Sequence, residues 1–245
     1  MRAEDPTIDR SSDDLNDQAI LIWTKLQVTK DQELDTEWAG YFQPLIRAPG
    51  HERSGWARVQ GCPETILLVT AWTRMSDMKQ FIGSPSAQLY RENLDSRGIK
   101  YVSSRETFHD RNDSFWFGSL LESYVQLLWV YFPTPVTEAH KAQISQLSGM
   151  REQVVGMDGR PFRGIVRHQN CLPLKIWAAQ TEFMHGQETQ LMLLLHFWVN
   201  AEQAEYRNAG FGNGSLMERF SERLEKVGPL EWKEEFCDFK ATTYV

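Results

Sequence analysis

Hydrophobic and polar positions follow one another along this chain in an order that occurs twice. Ala19 to Val28 is a β-rich apolar run and predicts a strand. Asp35 to Ile46 has acidic residues at its start and Trp38, Tyr41, Phe42 and Leu45 at helical spacing, which predicts a helix. Two further strands, around Gly55 to Val59 and Ile66 to Thr73, are joined by Gly61-Cys62-Pro63 and read as a hairpin. Ser76 opens a helical stretch carrying Met78, Phe81, Leu89, Tyr90 and Leu94, broken at Ser84-Pro85, and a strand at Ile99 to Ser103 ends the unit. The order is βαββαβ. It returns as a strand at Tyr124 to Phe132, a helix at Thr137 to Leu147, a hairpin at Lys175 to Phe183 and Gln190 to Trp198, a helical region at Ala201 to Val227 interrupted at Gly210 to Gly214, and a strand at Leu230 to Phe239.

Three short matches keep the same order in both halves. Leu21-Ile22-Trp23 returns as Leu127-Leu128-Trp129, Gly55-Trp56-Ala57 as Ile176-Trp177-Ala178, and Ile66 to Trp72 as Leu191 to Phe197. A period of about a hundred residues is too long for a solenoid and implies one supersecondary unit duplicated and fused. The expected organisation is a solvated arm over 1–17, a first repeat over 18–109, a linker over 110–123 and a second repeat over 124–245. The second repeat also carries an extra stretch at 149–173, of the length usual for a binding element or lid.

Composition narrows the function classes. The 245 residues carry a net charge of −7, which leaves no basic face for a nucleic-acid backbone. No run approaches the length of a membrane span, and the acidic, Ser-rich first residues lack a signal-peptide core. Cys62, Cys171 and Cys237 are far apart and odd in number, as expected of free thiols in a reducing cytoplasm. No HExxH, GxSxG, Walker or Rossmann pattern and no metal-ligand spacing occurs, so neither a metal nor a cofactor is expected.

A βαββαβ unit makes a four-stranded antiparallel sheet with helices on one face, and two such sheets bury their bare faces against one another. With this order, and with the phrase Val69-Thr70-Ala71-Trp72-Thr73-Arg74-Met75-Ser76-Asp77-Met78 followed by Phe81 and Ser84-Pro85, the chain resembles the tandem members of the dimeric α+β barrel superfamily, in particular its stress-responsive and antibiotic-monooxygenase-like families. The resemblance implies two ferredoxin-like repeats packed sheet to sheet as an intramolecular α+β barrel, with a homodimer as a compatible assembly. It also implies a choice among cofactor-free cyclases, cofactor-free monooxygenases on phenols, haem-degrading enzymes and fused haem proteins, which a fold alone does not make. The catalytic histidine of a plant polyketide cyclase, in a His-Pro-Ala-His phrase, falls here on Ala87 of Ser84-Pro85-Ser86-Ala87 and is not carried over. The Asn and His pair of the haem-degrading members is complete in neither half.

The remaining candidates are polar residues in apolar strands. His196 interrupts the run Leu191 to Leu195 before Phe197 and Trp198, where a strand delivers its last side chains to a pocket rim. An imidazole there suits general acid or base work, whereas the plainer reading is a core histidine. Its sequence counterpart in the first half is Ala71, which places the pocket in the second half. Trp129 and Tyr131 share a strand face, as do Trp23 and Lys25; with Trp72, Trp198 and Phe197 they would wall a flat aromatic pocket, or simply be core. His168 and Arg163 in the extra stretch would move a proton and hold a carboxylate or enolate. Glu231, Glu234 and Glu235 read as the exposed side of the last strand, and His185 as a solvated turn residue. The expectation is therefore a cofactor-independent biosynthetic enzyme of secondary metabolism. It would bind a hydrophobic polyketide- or terpenoid-like intermediate and promote cyclisation, proton transfer or a pericyclic step of the Diels–Alder type, with His196, Tyr131 and His168 catalytic. The alternatives are a cofactor-free monooxygenase on a phenol and a haem or small-molecule binding protein without turnover.

Overall fold

The computed structural model describes residues 18–32, 38–108, 115–150, 173–208 and 214–242. The first half contains β1 (Ile20–Gln27), α1 (Trp38–Tyr41), α2 (Gln43–Ile46), β2 (His51–Arg58), β3 (Thr65–Trp72), α3 (Met75–Ile82), α4 (Pro85–Asp95) and β4 (Lys100–Phe108). After α5 (Phe115–Glu122) come β5 (Tyr124–Pro133), α6 (Glu138–Ser145), β6 (Leu174–Met184), β7 (Gln187–Trp198), α7 (Ala201–Glu205), a 3₁₀ turn (Tyr206–Asn208), α8 (Leu216–Lys226), β8 (Glu231–Asp238) and β9 (Lys240–Ala241). The predicted strands are present, whereas the helix expected over Asp35 to Ile46 is two short pieces, α1 and α2, with residues 35–37 outside the described residues. The stretch read as a linker contains α5, whose Phe117 and Leu120 are buried among the strands.

This is an α+β fold built on one large antiparallel sheet, ordered β8-β5-β7-β6-β4-β1-β3-β2-β9. Both ends of that order lie on one stretch of chain. β8 pairs with β5, while β9 pairs with β2 through Gly55↔Ala241 and Trp56↔Lys240, helped by Val59↔Cys237. The sheet thus closes on itself, which removes open edges. The β4–β6 seam has a single register pair, Thr107↔Ala178.

Closure gives each strand an inner and an outer face, and both are buried in the central strands. Leu21, Trp23, Leu127, Trp129, Tyr131, Leu191, Leu193, Leu195 and Phe197 point inward into one core. Ile20, Trp56, Leu68 and Trp72 point outward under the helices of the first half, and Leu128, Val130, Met192, Leu194 and Trp198 under those of the second. A strand covered on both sides reads as a continuous apolar run, which is why 191–195 shows no alternation. Helix ends are set locally: Ser84 Oγ accepts the Ala87 N–H at 3.2 Å and donates to the Phe81 carbonyl at 2.7 Å, stopping α3 and starting α4. Ser215 and Glu218 form a reciprocal capping box on α8.

Candidate functional site

The barrel separates the residues that the sequence grouped together. Trp23, Lys25, Trp129, Tyr131 and Phe197 face the interior, whereas Trp72, His196 and Trp198 face the helix layers. His168 and Arg163 lie outside the described residues. One flat pocket lined by all of them is not formed.

Inside the barrel, Trp23 and Trp129 meet edge to face with ring centroids 6.4 Å apart. Each buried indole N–H needs an acceptor, and each finds it on the last strand of its own half. Trp23 donates to Thr107 Oγ1 at 3.0 Å and Trp129 to Glu235 Oε2 at 2.8 Å. Glu235 then pairs with Lys25 across the barrel, and Lys25 lies 4.9 Å from the Trp129 ring centre. Arg105 makes a bidentate pair with Glu182 at 2.6 and 3.0 Å and lies 5.3 Å from the same ring. Burial, and then the neighbouring carboxylates Glu182, Glu231 and Glu235, push the Tyr131 phenol above its ordinary pKa, although Arg105 opposes this. Glu235 is therefore an internal counter-ion and not part of an exposed strand face. Glu234, on the opposite face of the strand, points under the helices of the second half and accepts from Gln126. The alternating pattern of β8 does not reveal this, because the partners of its carboxylates are distant in sequence. His185 is an exposed turn residue, as expected, and pairs with Glu231.

The second half's helix-covered face holds a different polar group. Gln126 is fully buried; its side-chain oxygen accepts the Trp198 indole N–H at 2.9 Å, and its amide nitrogen donates to Glu234. Arg207, 9% exposed, stands 3.6 Å from Glu234 and packs its guanidinium on Phe236 at 4.3 Å. His196 is 6% exposed and lies below the surface, not on a rim. Its ring stacks with Trp198 and meets the edge of Phe220 at 5.4 Å. Nε2 of His196 accepts the backbone N–H of Met150 at 3.1 Å, so that nitrogen carries a lone pair and no proton.

Register corrects the sequence counterpart of His196. Trp23 pairs with Val69 and Trp56 with Leu68, while Trp129 pairs with Leu193 and Trp177 with Met192. Counting on from either pair, His196 stands where Trp72 stands, one residue from the Ala71 chosen by aligning apolar runs. A slip of one residue exchanges the faces of a strand, and Ala71 does point into the barrel. The corrected comparison shows what the halves do differently. Ile20 opposes Trp72 in the first half, and Gln126 opposes His196 in the second.

A well-formed cleft among the described residues lies elsewhere, a space of about 580 Å³ between α2 and the α3–α4 break in the first half. The sequence predicts the larger space beside His196 and 149–173, of which residues 151–172 lie outside the described residues. Among the described residues no group of three His, Cys, Asp or Glu side chains is placed to hold a metal ion. No helix among them is long and apolar enough to cross a membrane.

No protein-family model matches the chain, and no curated protein matches its sequence. Solved structures do match its fold. A protein described as anthrone oxidase-like superposes with a TM-score of 0.51 at 12% identity, over 94% of this chain and 96% of that one. A candidate monooxygenase of Fusobacterium nucleatum superposes with a TM-score of 0.50 at 8% identity, over 92% of this chain and 93% of that one. At such identities the likeness is one of fold, and the fold shared is the α+β barrel.

Proposed function

We propose that the chain is a tandem α+β barrel enzyme whose two βαββαβ repeats, 18–109 and 124–245 joined through 110–123, have diverged so that the second carries the chemistry. It acts on a hydrophobic, planar polyketide- or terpenoid-like intermediate, with His196 as the base and Trp198 beside it as an aromatic wall. The observation that carries this reading is the replacement of the apolar pair Ile20 and Trp72 by Gln126 and His196 at the same register of the second half. Buried polar pairs in a two-sided apolar sheet cost stability unless they are satisfied, so their presence in one half only asks for a use.

The chemistry begins with removal of an acidic O–H or C–H proton by Nε2 of His196. Loss of the proton leaves an enolate or phenolate whose carbon attacks a carbonyl carbon of the same molecule; the C=O π bond opens to an alkoxide, which takes the proton back from His196. A pericyclic closure held by pocket shape would use the same wall without the proton transfer. A second reading, favoured by the likeness to an anthrone oxidase-like fold, has the same carbanion react with dioxygen. Oxygen uptake with anthrone as substrate separates the two. Uptake that depends on the protein and on His196 selects oxygenation; proton exchange at the anthrone methylene without uptake selects the cyclase. If neither occurs while His196→Gln folds normally, the catalytic reading fails.

A further inference from the structure

We infer that the first half holds a second, independent binding site, a cleft between α2 and the α3–α4 break that takes a small ligand with an apolar ring and a neutral carboxamide. The cleft has a volume of about 580 Å³, within the usual range for small-molecule sites. Phe81, Leu89 and Pro44 supply its apolar wall, and Ser84 and Asn93 part of its polar rim. Leu89 is 50% exposed, an apolar surface left uncovered on this side of the helices.

The second observation lies beneath that wall. Gln43, which also lines the cleft, has both its amide nitrogen and its amide oxygen buried without a hydrogen-bond partner, and Trp38 Nε1, on the adjoining helix, is buried and unpartnered as well. Buried donors and acceptors are almost always satisfied, so the unpaired donor and acceptor of the Gln43 amide mark a place at the cleft where a polar partner would be stabilising. The Gln43 amide offers two donors and one acceptor side by side. A carboxamide or lactam answers both functions at once. An ionised carboxylate has no donor for the Gln43 oxygen, and a hydrocarbon answers neither. As it stands the amide is closed to water, so binding requires the unbranched Gln43 side chain to turn toward the cleft, with the ligand's ring covering Leu89 and Phe81.

Benzamide and methyl benzoate test this, because they share a ring and differ in the donor. Titration of the full chain followed by side-chain amide and methyl NMR is expected to give saturable shifts at Gln43 and Leu89 with benzamide, at least tenfold tighter than with methyl benzoate. Gln43→Leu is expected to abolish that preference and to raise the melting temperature of the free protein, since it removes two orphan groups. Leu89→Asp, at an exposed position, is expected to weaken benzamide by tenfold or more with the fold retained. Equal binding of the two probes, no binding of benzamide, or benzamide binding that survives Gln43→Leu overturns the proposal. None of these outcomes touches His196, so this site and the proposed reaction stand or fall separately.

Discussion

His196 Nε2 accepts the N–H of Met150 at 3.1 Å, and the carbonyl at the other end of that same peptide, Gly149 O, accepts a bond from Arg223 Nη2 at 3.2 Å. One peptide plane is thus held from both sides at the point where the chain enters 151–172. The lone pair proposed to take a substrate proton is the one now spent on Met150. Catalysis by His196 therefore requires that this bond be exchanged for one to substrate.

Glutamine and alanine at position 196 separate the two uses of the lone pair. In His196→Ala the Met150 N–H loses its acceptor, and stability is expected to fall by about 1–3 kcal/mol, the cost of an unsatisfied buried donor. His196→Gln keeps an acceptor oxygen and is expected to recover most of that loss, yet both variants should lose about 100-fold in single-turnover rate, the scale of a missing general base. Urea unfolding and rapid-quench turnover on the same preparations check this. A Gln variant with normal turnover would leave His196 as a purely structural anchor.

Gly149 has no space for a side chain. An added Cβ would stand 2.9 Å from Pro173 Cδ and 3.0 Å from His196 Nε2. Gly149→Ala is expected to destabilise the protein by about 1–3 kcal/mol through overpacking, and to displace the Met150 bond. The imidazole resonances of His196 should shift in this variant more than those of His140.

At the barrel mouth the ion pair of Lys25 with Glu235 joins the two halves, and its side chains are 21% and 18% exposed. Its value lies between that of a surface pair and a fully buried one. Lys25→Met, which strands Glu235 on the Trp129 indole, is expected to cost about 1–3 kcal/mol. Lys25→Met with Glu235→Gln should regain much of it, because the amide still accepts from Trp129. Equal losses in the single and double variants would mean that Lys25 contributes through packing alone.

Acid should weaken the first half through His51. Burial lowers its pKa to about 4, partly offset by a bond to the Ile46 backbone, whereas an unfolded histidine titrates near 6.5. Between those values the unfolded state binds more protons than the folded one. The stability tied to neutral His51 is therefore full above about pH 6.5 and is lost progressively as pH falls toward 4. Melting temperatures of wild type and His51→Gln from pH 7.5 to 4 are expected to converge as pH falls. A constant difference across that range would show that the ring titrates normally.

Periodicity and turn chemistry were enough to place the strands and the principal helices, because those depend on contacts close in sequence: Ser84-Pro85 breaks a helix and Ser215 with Glu218 starts one wherever they occur. The expectation of a twofold order of elements rests on the matching runs around Trp23 and Trp129. Facing was legible only in part. In strands buried on both sides, apolar residues fill nearly every position, so little in 66–72 or 191–197 marks which residue points where, and aligning the apolar runs matches His196 with Ala71 in place of Trp72. Register decided that, because cross-strand hydrogen bonds fix each residue against a partner far away in the chain. The roles of Glu234 and Glu235 were decided in the same way. A carboxylate in an alternating strand looks solvent-facing until closure of the barrel brings Lys25, about two hundred residues distant, to meet it. The sequence by itself determined which elements form and in what order; only the closed sheet decided that the polar residues divide between the barrel mouth and the helix-covered face.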